Sequence, residues 1–343
     1  MIPQLHPIDL HDSSQIGEAR RMAMRAAHCA GMGETDCGRV SIIATELASN
    51  VIRHGQGGEI LLGAAADQTR PAIELIAIDR GPGIRDLGRC MTDGYSSGAS
   101  LGQGLGAIGR LSDAMDVYSG PGRGAAIYAR IEAAARGAPA SQQTPSSQTP
   151  SSWFSIRVPA FGEVECGDDC RVAAGHNRIA AAVADGLGHG PLAAKAALQS
   201  MLVFEQSPFS PPDLYLKMAH QALHSTRGAA VACARVDYDR GTMIYAGIGN
   251  ISSSIIDNHS HQGRSLPSYN GTVGLQIGQV RQFEYPVRAG DLLVMHSDGL
   301  TARWKPSDYP GLWSRIPALV AAVLYRDLNR KRDDATVLVV RLQ

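Results

Sequence analysis

The chain has 343 residues, 44% hydrophobic and 19% charged, with 32 basic and 32 acidic side chains. That length exceeds one average domain, and the composition is that of an ordinary globular protein. The zero net charge excludes the broad basic footprint of a general nucleic-acid or membrane-surface binder.

No apolar run is long enough to cross a bilayer, and Met1-Ile2-Pro3-Gln4 lacks a charged stretch followed by an apolar one. A cytoplasmic location is expected. The six cysteines are scattered. Cys166 and Cys170, with His176 nearby, admit zinc, but the paired short spacings of a structural zinc site are missing, so free thiols are expected.

Residues 12–31 predict an amphipathic helix, with Ile16, Ala19, Met22, Ala23, Ala26 and Ala27 at helical spacing. A second helix is predicted over 34–53, carried by Val40, Ile43, Ala44, Leu47 and Val51. Glu46, Asn50 and His54 recur every four residues and share one face of it. A solvated stripe is the plain reading. The flanking Ala48, Val51 and Ile52 favour a stripe that lines a cavity.

Residues 59–65 and 73–79 predict paired strands. The second ends in Asp79-Arg80-Gly81-Pro82-Gly83. A carboxylate there can accept from an exocyclic amine, while the glycines let a ligand approach the backbone. The stretch Gly102-Gln103-Gly104-Leu105-Gly106 forms a loop and opens a helix, whose first amides suit phosphate. Residues 115–119 and 125–131 predict a closing hairpin turned by Gly120-Pro121-Gly122-Arg123-Gly124.

The set Glu46-x-x-x-Asn50, Asp79-x-Gly81-x-Gly83 and Gly102-x-Gly104-x-Gly106 resembles the GHKL ATPase/kinase superfamily. Within it, the run 45–54 and the run 102–113 look closest to the anti-sigma-factor serine kinases of the RsbW/RsbT type. The resemblance implies a Bergerat-type α/β sandwich that binds Mg-ATP. Asn50 would bind the magnesium, and Asp79 the adenine amino group. Gly81, Gly83, Gly102, Gly104 and Gly106 would wrap the nucleotide. Glu46 would be catalytic, orienting or deprotonating an attacking serine. The alternative is a domain that binds ATP and transfers nothing.

Residues 133–152 repeat Ser and Thr-Pro without apolar periodicity, which predicts a flexible linker between domains at 1–132 and 153–343. In the second domain, 153–158 and 163–166 predict opening strands, followed by Asp168-Asp169. The apolar run 179–185 ends in Asp185 and turns through Gly186-Leu187-Gly188-His189-Gly190 into a helix over 191–201. Another helix is predicted over 214–225, and paired strands over 228–236 and 241–247. The run 291–295 leads to Ser297-Asp298-Gly299, and Asp333-Asp334 precedes a last strand at 337–342. Asp168, Asp185, Asp298 and Asp333 therefore all stand at strand ends. One Asp-Gly is ordinarily a turn; four such carboxylates point to a hard divalent cation.

The order G-D, D-G-x-G-x-G, S-D-G, D-D-x-T resembles the metal-dependent (PPM-type) Ser/Thr phosphatases of the SpoIIE/RsbX class. It implies an α-β-β-α sandwich with two Mn²⁺ or Mg²⁺ ions. Asp185 would bridge them as a catalytic ligand, the Gly186 carbonyl would add a ligand, and Asp168, Asp298 and Asp333 would complete the set. Asp169 would stand behind the ligands, and Asp333 and Asp334 compete for the last ligand position, where the family pattern favours Asp333. His189 is either a proton donor or a structural histidine, and Arg227 either a phosphate clamp or a surface cation. His296 is expected in the core.

The two resemblances together imply a bifunctional partner-switching regulator. Its first domain would phosphorylate a STAS-domain anti-sigma antagonist, and its second would remove that phosphate. A sigma factor or a downstream phosphatase or cyclase are the further partners, and a homodimer is the assembly such kinases suggest. The alternative makes the first domain an ATP-gated protein-binding module without kinase activity.

Overall fold

The computed structural model describes residues 4–65, 70–84, 86, 104–134 and 151–343. By compactness the chain divides into Leu5–Ser151 and Ser152–Gln343, the latter joined by Met1–Gln4. Most of the expected linker lies outside the described residues. Its first two positions are ordered: the amides of Ala133 and Ala134 donate to the Pro71 carbonyl at 2.8 Å and to Asp36 at 2.9 Å.

In the first unit, strands β1 (His6–Leu10), β2 (Gly58–Ala64), β3 (Ala72–Asp79), β4 (Ala114–Ser119) and β5 (Ala125–Glu132) form one antiparallel sheet, ordered β1-β2-β3-β5-β4. Helices α1 (Ser14–Cys29) and α2 (Glu34–His54) pack together and cover one face. The positions that predicted α2 are the buried ones: Val40, Ile43, Ala44, Leu47 and Val51 meet Ile60, Leu62, Ile73 and Leu75 of the sheet. Each such aliphatic side chain contributes about 1.5–3 kcal/mol by leaving water. Burying that stripe turns the opposite stripe of α2 away from the sheet.

A short helix α3 (Gly104–Leu111) packs against α2. Arg39 fastens its end: the guanidinium donates to the Leu111 carbonyl at 2.8 Å and to Asp113 at 2.8 Å. Asp113 in turn accepts from the Glu132 amide, so α2, α3 and the sheet share one polar knot.

The second unit is a pair of five-stranded antiparallel sheets with helices outside both. Strands β6 (Trp153–Val158), β7 (Asp168–Gly175), β8 (Arg178–Gly186), β9 (Ala229–Asp237), β10 (Thr242–Ile248), β11 (Ser252–Ile256), β12 (Gly263–Leu266), β15 (Phe283–Pro286), β16 (Leu292–His296) and β17 (Ala335–Arg341) build them. The orders are β15-β10-β9-β8-β7 and β12-β11-β16-β17-β6; β13 (Gly271–Thr272) and β14 (Gln276–Ile277) form a small separate ladder. Helices α4 (Pro191–Gln206) and α5 (Pro212–Ala222) lie on the first sheet, and α6 (Pro317–Leu328) on the second. This is the α-β-β-α sandwich that the resemblance implied.

The predicted strand over 163–166 is absent. That segment is a turn, and β7 starts only at Asp168. Val164 is its one large aliphatic side chain and is exposed, so no sheet face exists for it to bury against. Strand β11, with sequence SSSII, gives no alternation to read; it forms because β12 and β16 pair on either side of it.

Candidate functional sites

In the first unit, Glu46 and Asn50 lie one turn apart on α2 and meet the start of α3. A Cβ at Gly104 would lie 3.3 Å from the Asn50 side-chain oxygen and 3.5 Å from a Glu46 carboxylate oxygen. Glycine at 104 is what lets the backbone close over those two groups. Gly106 is buried within α3, and Gly102 lies outside the described residues. His54 shares their helix face but is exposed at the helix end.

Asp79 closes β3 and is buried. Its Oδ1 accepts from the Gly81 amide at 2.8 Å and the Ala125 amide at 3.2 Å, which ties the following turn to the β4–β5 hairpin. Gly81 and Gly83 have a structural reason that sequence reading did not supply. A Cβ at Gly81 would strike the Gly55 backbone at 2.8 Å, and one at Gly83, at φ 73°, would strike the Gly120 carbonyl. The two glycines are thus required by backbone packing before any ligand is considered.

In the second unit, Asp168 and Asp185 face each other directly across the β7–β8 ladder. Opposite residues of an antiparallel pair point to the same face. The charges of Asp168, Asp298 and Asp333 all bear on the Asp185 carboxylate. The four predicted carboxylates, each from a different strand end, are thus near enough to act on one another through their charges. Asn250 joins them, its amide 2.6 Å from Asp298 Oδ2. Asn250 belongs to the run Gly247-Ile248-Gly249-Asn250-Ile251, part of the resemblance to the RsbX-like branch, but the sequence alone assigns it no site role.

Electrostatics mark this cluster. Burial and neighbouring carboxylates push the Asp168 carboxyl up to about 7 and the Asp185 carboxyl up to about 9. Asp298 is raised by burial and by Asp333. Asp168 Oδ2 and Asp334 Oδ2 are buried without a hydrogen-bond partner. Buried acids with orphaned oxygens fit a divalent cation, which would supply the missing partner and reverse the repulsion. Among the described residues no three acidic, His or Cys side chains converge as a ready single-ion cage. Cys166 and Cys170 are free, buried thiols, one just before β7 and one within it.

The sign of the pH effect follows. In the native state these carboxyls hold protons that the unfolded chain releases near pH 4. The native state thus binds more protons through neutral pH, and stability falls as pH rises. The second unit of metal-free protein is expected to melt several degrees lower at pH 8 than at pH 5.5, and millimolar Mn²⁺ at pH 8 is expected to abolish the difference. Calorimetry with and without chelator measures this; a melting point that rises with pH would refute it.

Asp169 and Asp334 resolve differently. Asp169 points to the opposite face of β7, as strand alternation requires. There it pairs with Arg157 at 3.0 Å and Arg171 at 2.6 Å, with Arg171 also bonded to Glu205. It is a buried counter-ion of two arginines, not an outer ligand of the cluster. Asp169→Ala is expected to destabilise the unit by about 3–5 kcal/mol, since it leaves buried guanidinium charge uncompensated; urea denaturation measures it. Asp334 accepts from the Ala160 amide at 2.9 Å and holds the 160–167 turn beside Asp168. The charge of Asp333 bears on Asp185, and that of Asp334 on Asp168.

The turn after Asp185 is shaped by glycines. A Cβ at Gly186 would strike the Ala193 carbonyl, so glycine lets β8 end against α4. Exposed His189 is paired through Nδ1 with Glu163 at 2.6 Å, which ties the turn after Asp185 to the turn between β6 and β7. Arg227 is exposed, with a guanidinium nitrogen 3.2 Å from where a Gly188 Cβ would stand. His296 is buried, its Nδ1 donating to the Ser297 carbonyl at 2.8 Å, and burial lowers its pKa.

Comparison with known proteins places both sites in company. Residues 175–343 match the family described as Stage II sporulation protein E (SpoIIE), and 11–131 match the histidine kinase-like ATPase domain. The chain is 35% identical over 111 residues to the serine/threonine-protein kinase RsbT of Bacillus subtilis, covering 84% of that protein and 32% of this chain. It is 25% identical over 142 residues to the phosphoserine phosphatase RsbX of the same organism, covering 69% of that protein and 40% of this chain. A chain solved in a study of the bacterial stressosome as a modular system controlling secondary messenger signalling superposes with a TM-score of 0.52 at 29% identity, covering 55% of this chain and 98% of that one. RsbX in complex with magnesium superposes with a TM-score of 0.50 at 19% identity, covering 56% and 94% of the two chains; it shares the fold.

Proposed function

This chain belongs to the RsbT-like histidine-kinase-like ATPases over its first unit and to the SpoIIE phosphatases over its second, and from that premise we propose that it writes and erases serine phosphate on a partner-switching protein. The observation that supports the erasing half is that Asp168 and Asp185 face each other across the β7–β8 ladder, a buried Asp168 oxygen lacks a hydrogen-bond partner, and the charges of Asp298 and Asp333 act on Asp185.

In this reading Asp185 is the central ligand, with Asp168, Asp298, Asp333 and the Gly186 carbonyl around it, holding two Mn²⁺ or Mg²⁺ ions. Such ions, when bound, supply a Lewis acid for the phosphate and an activated water at neutral pH. Asn250 holds Asp298 in place from the other side. Arg227, beside Gly188, is set to meet a phosphate oxygen. Glu163 would accept a hydrogen bond from Nδ1–H of His189 and so orient the ring, and the imidazolium would give its Nε2 proton to the departing serine oxygen.

In the first unit, Asn50 would hold the magnesium of Mg-ATP, Asp79 would read the adenine amino group, and Gly102, Gly104 and Gly106 would cover the phosphates. Gly81 and Gly83 would shape the adenine end through the backbone packing they permit. Glu46, in reach of the same Gly104 backbone, would take the proton of the attacking serine. The identity to a named serine/threonine kinase supports this half. The substrate is read as a STAS-domain anti-sigma antagonist, with a sigma factor or a phosphatase or cyclase downstream, in the cytoplasm.

Phosphate gain and loss on a STAS-domain protein, with ATP and Mn²⁺ varied separately, tests the whole reading. Phosphoserine is expected to accumulate with Mg-ATP under limiting Mn²⁺ and to fall when ATP is removed and Mn²⁺ supplied. No release with any divalent ion would end the phosphatase half, and no incorporation from ATP the kinase half.

A further inference from the structure

The carboxylate cluster is polar, yet the surface around its mouth is not. Among the described residues, Phe161 is fully exposed and Val164 is 86% exposed, both on the turn between β6 and β7. That turn is fastened beside the cluster: the Ala160 amide bonds Asp334, and Glu163 bonds His189 of the D-G-x-G-H-G turn. Leu187, 53% exposed, stands on the same turn, and Leu192 opens α4 directly after it. Leu275 extends the rim: its side chain would touch a Cβ at Gly228, whose carbonyl accepts the Leu187 amide at 3.0 Å. These are most of the large apolar side chains that the described residues leave in water.

Exposed apolar side chains scattered singly need no explanation, but five carried on neighbouring turns bonded to one another mark a contact surface. The position of this set restricts its occupant. A phosphoserine that reaches Asp185 brings its own surroundings down onto Phe161, Val164 and Leu187. A short flexible peptide or a free phosphomonoester would leave that rim wet. A folded protein with apolar surface beside its phosphoserine would cover it.

We propose that Phe161, Val164, Leu187, Leu192 and Leu275 form the docking surface for a folded phosphoprotein whose phosphoserine lies within an apolar patch. The proposal rests on the phosphatase reading of the second unit and adds where its protein substrate would dock. The rim selects the protein, and the cluster acts on the phosphate. Specificity is thereby separated from chemistry, because the apolar contacts add binding without touching the reacting atoms.

The full chain tests this, with a serine-phosphorylated STAS-domain protein, a short phosphoserine peptide taken from it, and p-nitrophenyl phosphate as probes. Binding of the phosphoprotein is measured by calorimetry in an Asp185→Asn background, so that turnover plays no part. Phe161→Ser with Val164→Ser is expected to weaken that binding roughly tenfold or more. With Asp185 intact, the same pair is expected to raise KM for the phosphoprotein and leave the peptide and p-nitrophenyl phosphate unchanged. Both side chains are exposed, so an unchanged melting point checks that folding is intact. Equal phosphoprotein binding with and without the substitutions would overturn the docking surface. So would a rim that only joins two copies of this chain, seen as loss of a dimer with unchanged phosphoprotein affinity. Failure of the unsubstituted chain to hydrolyse p-nitrophenyl phosphate would instead strike the phosphatase reading, while the binding arm still decides the surface.

Discussion

Asp185→Asn is expected to lower Mn²⁺-dependent release of phosphate from a phosphoserine protein by about a thousandfold. Asp185 faces Asp168 across the ladder and feels the charges of Asp298 and Asp333, so it is the residue common to the whole cluster. Losing several kcal/mol of charge stabilisation at the phosphate corresponds to about that factor. The same substitution makes a second, opposite prediction. Burial and like charge raise the Asp185 carboxyl, so an uncharged amide of the same shape suits the metal-free fold better at pH 8. The melting point of the chelated variant is expected to rise there while activity is lost. A variant that loses activity and stability together would show that Asp185 serves the fold and not the reaction. Retained hydrolysis would remove it from the site.

Glu46→Gln is expected to cut transfer of phosphate from ATP to a STAS-domain protein by about 10²–10⁴-fold, the range of a lost general base, with nucleotide affinity kept. Asn50→Ala is expected to weaken Mg-ATP binding itself. The contrast matters because Glu46 and Asn50 both meet the backbone at Gly104 and would respond alike to simple distortion. Transfer of ³²P and binding of a fluorescent ATP analogue separate the two effects. If Glu46→Gln leaves transfer unchanged, the first unit is an ATP-gated protein-binding module and not a kinase. The phosphatase half would be untouched by that result.

Helical and strand periodicity in this chain was legible where burial is one-sided. The stripe Val40, Ile43, Ala44, Leu47 and Val51 announced α2 because a helix face against a sheet must be apolar at that spacing. The run ending at Asp185 announced β8 because a strand buried between α4 and the second sheet must be apolar throughout. The same reading failed at 163–166, where alternation had no partner strand to pair with. It was silent at β11, where serines are drawn into a sheet by their neighbours.

The sequence by itself determined which residue types stand at strand ends: four separated aspartates, each beside an apolar run, and Glu46 and Asn50 one turn apart on α2. Those are local facts, set by chain-neighbour spacing. Only the tertiary structure decided that the four aspartates act on one another through their charges, that Asn250 holds Asp298, and that Asp169 turns away to neutralise Arg157 and Arg171. Adjacent residues of a strand face opposite sides, so Asp168 and Asp169 look equivalent in sequence and are separated by the pleat alone. Which charge belongs to the site and which to the core is settled by packing, because only packing says which one lacks a partner.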